Sequence, residues 1–160
     1  MRVCLIGYWR GGGEEDDDRW PDPRDLIDES WSNQERELVA SYFEQGFKPF
    51  AFLGFSECRL CGKLNGSAEF TDGVYLWPEG LAHYVREHSV KLPAEVLAHV
   101  RRRYDELGPL DANRDWSAEY PDRDFLPEGA VEQFADFERG WDGMETLFVD
   151  RDWWPKVTRA

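Results

Sequence analysis

Hydrophobic positions at the start of the chain cluster into one short segment. Residues 2–9 are mostly apolar and predict a β-strand, which a run of three glycines at 11–13 ends. Five consecutive acidic residues at 14–18 repel one another and predict a solvated loop. The chain therefore begins with a predicted strand and a long exposed connection.

The first helix is predicted from its N-terminal signal. Ser32 and Glu35 have the spacing of a capping box, in which each side chain bonds the other residue's backbone N–H. Gly46 is a natural helix stop. We therefore predict a helix over about 33–45. Its apolar positions recur at helical spacing: Leu38, Val39, Tyr42 and Phe43.

The middle of the chain alternates predicted strands with turns. Residues 50–55 predict one strand, and two more are predicted at 68–71 and 74–77. The last two flank Asp72-Gly73, a dipeptide that favours a tight hairpin turn. This part of the chain therefore predicts a β-hairpin.

Two helices are predicted after the hairpin. Pro78 suits the first turn of a helix that runs to about His88, and Pro93 begins a second helix that Gly108 ends. Beyond residue 109 periodicity is weak, although a helix near 128–139 and a last strand near 144–149 fit the pattern. Two adjacent tryptophans at 153 and 154 are expected to anchor the tail to the core or, if exposed, to mark a binding patch.

A metal-ligand pattern occupies the centre of the chain. Cys58 and Cys61 are separated by two residues, so both thiols can face one ion, and Gly62 suits the backbone there. His83 follows after 21 residues and His88 after four more, a spacing found in structural zinc sites. We therefore predict one Zn²⁺ held by these four residues.

The helical spacing of the two histidines presents a difficulty. Positions five apart on a straight helix point about 140° apart, so the helix must loosen near His88 for both rings to reach one ion. His99 or a carboxylate could replace one histidine. Two further interpretations stay open: the cysteines could form a redox pair, or they could be ordinary core residues.

The predicted zinc site has a structural character. Four protein ligands close a tetrahedron, whereas a catalytic zinc keeps one position open for water. Glu87 beside His88 does not have the spacing of the inverted metalloprotease motif, and the deaminase order of His, Glu and Cys pair is reversed here. No catalytic residues are predicted.

Composition excludes several classes of partner. The net charge of −14 repels nucleic acids and anionic membrane surfaces, and no apolar stretch reaches the length of a membrane span. The acidic residues are concentrated in 1–50 and 109–160, whereas 51–108 is nearly neutral. This charge fits a protein partner, and a basic protein is the candidate. Three cysteines and no visible signal peptide are typical of a cytoplasmic protein.

One stretch of the chain contains CRLCG at 58–62, NGS at 65–67 and TDGVYLWPEGLAHYVREHSVKLP at 71–93. These residues resemble a family of uncharacterised bacterial proteins with a zinc-knuckle-like motif. The resemblance covers about a quarter of the chain. It implies a bacterial origin and a compact zinc-knuckle unit, and it implies no activity.

Together these features predict a small mixed α+β domain. A central zinc-binding ββα unit, in the order knuckle, hairpin and helix, spans about 50–108 within a domain of residues 1–108. Residues 109–160 form an acidic, tryptophan-rich extension packed on it. The predicted function is that of a zinc-stabilised binding protein of the adaptor or toxin-neutralising type. The alternative is a zinc-dependent hydrolytic enzyme with an open coordination position.

Overall fold

The computed structural model describes residues 2–11, 17–107 and 148–159. Within them the chain forms a mixed α+β fold with five strands and four helices. The strands are β1 (Arg2–Leu5), β2 (Phe47–Ala51), β3 (Ala68–Thr71), β4 (Tyr75–Pro78) and β5 (Phe148–Asp150). The helices are α1 (Asn33–Phe43), α2 (Leu81–His88), α3 (Ala94–Leu107) and α4 (Trp153–Thr158).

The strands form one sheet in the order β2-β3-β4-β1-β5. The first three strands of this order are joined by antiparallel pairings, of which β3 and β4 form the predicted hairpin. By contrast, β1 runs parallel to both of its neighbours, β4 and β5. The carboxyl ends of β4, β1 and β5 therefore meet at the same edge of the sheet.

The helices cover the sheet through an aromatic core. Ser32 caps α1 as predicted, because its side chain accepts the backbone N–H of Glu35. Phe43 at the end of α1 packs edge-on against Trp77 of β4, with 5.1 Å between the ring centres. The indole N–H of Trp77 also donates to the Phe43 carbonyl oxygen over 3.0 Å. Burial of these large rings supplies much of the stability that so short a chain needs.

Three predicted boundaries are wrong in detail. The first strand ends at Leu5, before Gly7 with its φ of 76°, and the second lies at 47–51 rather than 50–55. Pro78 is not in the first turn of a helix but is the last residue of β4, where it pairs with Glu69. Proline has no backbone N–H to donate to the sheet. It is tolerated here because the N–H of the next residue, Glu79, donates to the Ala68 carbonyl oxygen. Helix α2 begins only after Gly80.

The C-terminal segment is built into the same sheet. Strand β5 pairs with β1, and α4 packs against β1. Trp154 is fully buried in the core, so the prediction of a tail anchored by tryptophan is confirmed for this residue. The predicted division at 108/109 and the predicted helix at 128–139 lie outside the described residues.

None of the helices in the described residues has the length and the apolar composition that crossing a membrane requires.

Candidate metal centre

The two cysteines lie in a tight loop that backbone hydrogen bonds fix. The Cys58 N–H donates to the Lys63 carbonyl oxygen, and the Gly62 N–H donates to the Cys58 carbonyl oxygen, over 2.9 and 2.8 Å. Gly62 has a φ of 70°, a conformation that favours glycine, so this residue lets the loop close. The Leu60 N–H points at the Cys58 sulfur, 3.4 Å away. This geometry turns both thiols to one side, as a metal knuckle requires.

The two histidines are brought together by the end of α2. His88 is the last residue of this helix, and Ser89 takes the left-handed conformation that terminates it. The Ser89 N–H bonds the Tyr84 carbonyl oxygen five residues back, which makes the last turn wider than an α-helical turn. In a wider turn, positions five apart point closer to the same direction. The imidazoles of His83 and His88 therefore meet with 3.2 Å between their Nε2 atoms.

The distances between the four side chains match a tetrahedral ion. The sulfur of Cys58 lies 3.4 Å from His88 Nε2, and the sulfur of Cys61 lies 3.3 Å from His83 Nε2. All four ligand atoms lie within 4.8 Å of one another. Around zinc, with bonds of about 2.3 Å to S and 2.05 Å to N, a regular tetrahedron separates N and S by about 3.6 Å and two N by about 3.3 Å. The four side chains are therefore close enough to bind one metal ion.

The electrostatics of the site favour metal-binding protonation states. Burial lowers the pKa of His83, and burial together with the neighbouring His83 lowers the pKa of His88. The neutral imidazoles that result are the form that binds a metal. Cys58 is buried, whereas Cys61 is exposed, so one side of the site faces solvent. An exposed thiol is not a typical core residue, which argues against an ordinary packing role for this pair.

His99 does not belong to the metal centre. Its Nε2 lies 2.7 Å from the carboxylate of Asp72, and Arg102 donates to its Nδ1 over 3.1 Å. Both ring nitrogens are therefore engaged elsewhere, which removes His99 as an alternative ligand. Among the described residues, Cys58, Cys61, His83 and His88 are the one group with metal-binding geometry, and it contains no carboxylate.

Sequence reasoning missed the network to which His99 belongs. Asp72 is almost completely buried and accepts hydrogen bonds from Tyr42 and His99, as well as from the backbone N–H groups of Val74 and Tyr75. Burial alone would raise the pKa of Asp72, but the hydrogen bonds from His99 and Tyr42 outweigh it and hold the pKa below its ordinary value. The Asp72-Gly73 turn can be seen in the sequence. The contact between Asp72 and His99 of α3, 27 residues later, cannot.

Comparisons with protein families, with curated proteins and with solved structures find no match to this chain.

Proposed function

We propose that this protein is a zinc-stabilised cytoplasmic binding protein, of the adaptor or toxin-neutralising type, with one structural Zn²⁺ on Cys58, Cys61, His83 and His88. The observation that carries the proposal is the convergence of four ligand atoms within 4.8 Å. Two thiolates and two imidazoles suit zinc, whereas calcium and magnesium require oxygen ligands. Four protein ligands also fill the tetrahedron and leave no place for a reactive water.

The proposed ion joins a weakly packed loop to the core. Residues 51–57 and 61–64 are all exposed, and only Cys58, Arg59 and Leu60 between them are turned inward to any extent. Such a loop has little apolar burial of its own to hold it. Helix α2, in contrast, is tied to α1 by Arg86, which pairs with both Glu37 and Glu44. A metal between knuckle and helix would therefore contribute directly to the folding free energy of the loop.

The same loop supports a binding role. It presents four large apolar side chains to solvent: Phe52, Leu53, Phe55 and Leu64. We call this set the apolar hairpin, since backbone bonds such as Ser56 N–H to the Gly66 oxygen join its two limbs. Contiguous exposed apolar residues are typical of protein-interaction sites. The net charge of −14 would favour a basic partner.

Metal content and coordination test the zinc proposal. We expect one zinc per purified chain and, after cobalt substitution, a tetrahedral spectrum with thiolate charge-transfer bands. Cys58→Ser should lose the metal, whereas Cys4→Ser, which changes a cysteine elsewhere in the fold, should retain it. Absence of metal from the wild type, or equal metal content in Cys58→Ser, would refute the site.

Water exchange at the bound cobalt would distinguish a structural site from the alternative, a catalytic one. An open position would favour the zinc-dependent hydrolytic enzyme, and the exposed Cys61 is the ligand whose absence would create it. Four protein ligands and no exchangeable water support the structural role.

Partner capture tests the binding role. Leu53 is fully exposed, so Leu53→Asp should leave folding intact and abolish retention of a partner from native extract. Ile27→Asp, at an exposed apolar position outside the apolar hairpin, is the matched control. Capture of the same proteins by wild type and Leu53→Asp would contradict this role.

A further inference from the structure

A cleft of about 700 Å³ opens at one edge of the sheet. Its lining includes residues that come within three positions after the ends of three parallel strands: Tyr8 after β1, Gly80 after β4 and Arg151 after β5. In open sheets with parallel strands, ligands bind outside the carboxyl ends of the strands, where neighbouring strands lead the chain in different directions. The volume lies in the range of small-molecule sites.

One wall of the cleft is aromatic and fixed by contacts among its own residues, whereas part of the exposed apolar hairpin lines the opposite side. Tyr8 packs on Trp20, and Trp9 packs on Tyr84, with ring centres 5.4 and 5.2 Å apart. The buried indole of Trp154 donates to the Tyr8 carbonyl oxygen over 2.8 Å, which holds the segment after β1 in place. A wall that is ordered before binding loses little entropy when a ligand enters.

Charged groups of both signs line this aromatic space. Glu69 of β3 accepts the Tyr8 hydroxyl at Oε1, while no donor among the described residues reaches its Oε2. Burial raises the pKa of Glu69 to about 7, and the charge of Arg151 opposes this rise. Two arginines, Arg59 and Arg151, belong to the same lining, and so does a second acidic residue, Glu57. The cleft therefore combines acidic residues and arginines with aromatic walls.

We propose that this cleft binds a small zwitterion, an α-amino acid with an aromatic side chain, with its ammonium group at Glu69 and its carboxylate at Arg151. An ammonium ion gains from the aromatic faces as well as from the carboxylate. A guanidinium group binds a carboxylate through two parallel hydrogen bonds. A ligand without the ammonium group would leave the partly buried Glu69 carboxylate without a partner, which is costly, and a ligand without the carboxylate would lose the contact with the exposed Arg151.

A comparison of three probes on the wild-type protein tests the proposal. The probes are phenylalanine, phenethylamine, which lacks the carboxylate, and 3-phenylpropionate, which lacks the amine. We expect phenylalanine to bind at least about tenfold more tightly than either analogue in calorimetry at pH 8, where Glu69 is ionised. Equal affinity of either analogue, or no binding of any probe, would overturn the proposal.

Two charge-neutralising variants assign the charges to residues. Glu69→Gln should remove the preference for phenylalanine over 3-phenylpropionate, and Arg151→Gln should remove the preference over phenethylamine. Glu29→Gln and Arg159→Gln change the same residue types outside the cleft and should keep both preferences. Unchanged preferences in folded Glu69→Gln or Arg151→Gln protein, as judged by circular dichroism, would refute the assignment. The three-probe result on the wild type decides the proposal if a variant does not fold.

Discussion

Glu69 gives this protein a specific dependence of stability on pH. Its carboxyl group is partly buried beside Tyr8, and burial raises its pKa from an ordinary value of 4.5 to about 7. Between these two values the folded state holds a proton that the unfolded chain releases. The free energy of unfolding must therefore fall as pH rises through this window.

The magnitude follows from the size of the shift. One pKa unit corresponds to about 1.36 kcal/mol, so a rise of roughly 2.5 units gives up to about 3 kcal/mol. This contribution is fully present below about pH 4.5 and is lost as the pH rises through 7. Glu69→Gln imitates the protonated carboxyl and keeps an acceptor for Tyr8. We therefore expect the variant to match the wild type near pH 4 and to exceed its stability by up to about 3 kcal/mol at pH 8.

Urea unfolding followed by tryptophan fluorescence, at half-unit steps from pH 4 to 8, measures this difference. Other titrating groups are common to both proteins and cancel in the comparison. The exposed Glu29→Gln is the control, for which we expect a difference within about 0.5 kcal/mol at each pH. A difference between Glu69→Gln and wild type that stays constant with pH, or a less stable variant at pH 8, would refute the reasoning.

Three further predictions concern the metal centre and the core. Cys58→Ser and Cys61→Ser should each lower the unfolding midpoint in the presence of zinc and abolish the sensitivity of that midpoint to a chelator, with the larger loss at the buried Cys58. Differential scanning fluorimetry with and without chelator measures both effects, and unchanged midpoints would contradict the prediction. Asp72→Ala should lower the free energy of unfolding in urea by about 3–5 kcal/mol, because it leaves buried donors without an acceptor, and Asp72→Asn should lower it less. Equal losses in the two variants would count against the hydrogen-bond network. Trp154→Ala should cost about 3–5 kcal/mol, since the ring is fully buried, and the half-buried Trp153→Ala should cost less; the reverse order would show that the tail is not anchored by Trp154.

Local chemistry made several elements predictable from the sequence. The Ser32 side chain bonds the Glu35 N–H, so the start of α1 could be predicted from two residues three apart. The Asp72-Gly73 turn joins β3 to β4 as the dipeptide indicates, and Gly73 has a φ of 87°. The juxtaposition of Cys58, Cys61, His83 and His88 was also predictable, because the spacing of Cys and His residues reflects the geometry of a single site.

The sequence could not reveal the features that depend on contacts between distant segments of the chain. The predicted last strand near 144–149 overlaps β5 at 148–149, but the place of β5 beside β1 depends on contacts across the whole chain. Proline fits both a first helical turn and the end of a strand, so local sequence does not distinguish the two places for Pro78, and its pairing with Glu69 decides between them. The cleft combines residues from distant segments of the chain, so no local motif could indicate it.

The metal centre and the cleft share a structural element, which predicts that their ligands affect each other. Arg59 lies between the two cysteines and lines the cleft, and its backbone N–H donates to the Tyr84 hydroxyl over 2.7 Å. Tyr84 in turn packs on Trp9 in the wall and lies near His88, with 6.2 Å between the ring centres. A metal that orders the knuckle would therefore also order the part of the cleft lining that Arg59 contributes.

Coupling of this kind is reciprocal, so phenylalanine should bind more tightly to the zinc-loaded protein than to the chelated one, and zinc should bind more tightly when phenylalanine is present. A coupling of 1–3 kcal/mol is typical, which corresponds to roughly 5- to 150-fold in affinity. Tyr84→Phe removes the hydroxyl that joins Arg59 to the wall and should reduce the coupling while both sites keep their ligands. Calorimetric titrations of phenylalanine with and without zinc measure it. Equal affinities in the two states would show that the knuckle and the cleft are ordered independently, even if each binds its own ligand.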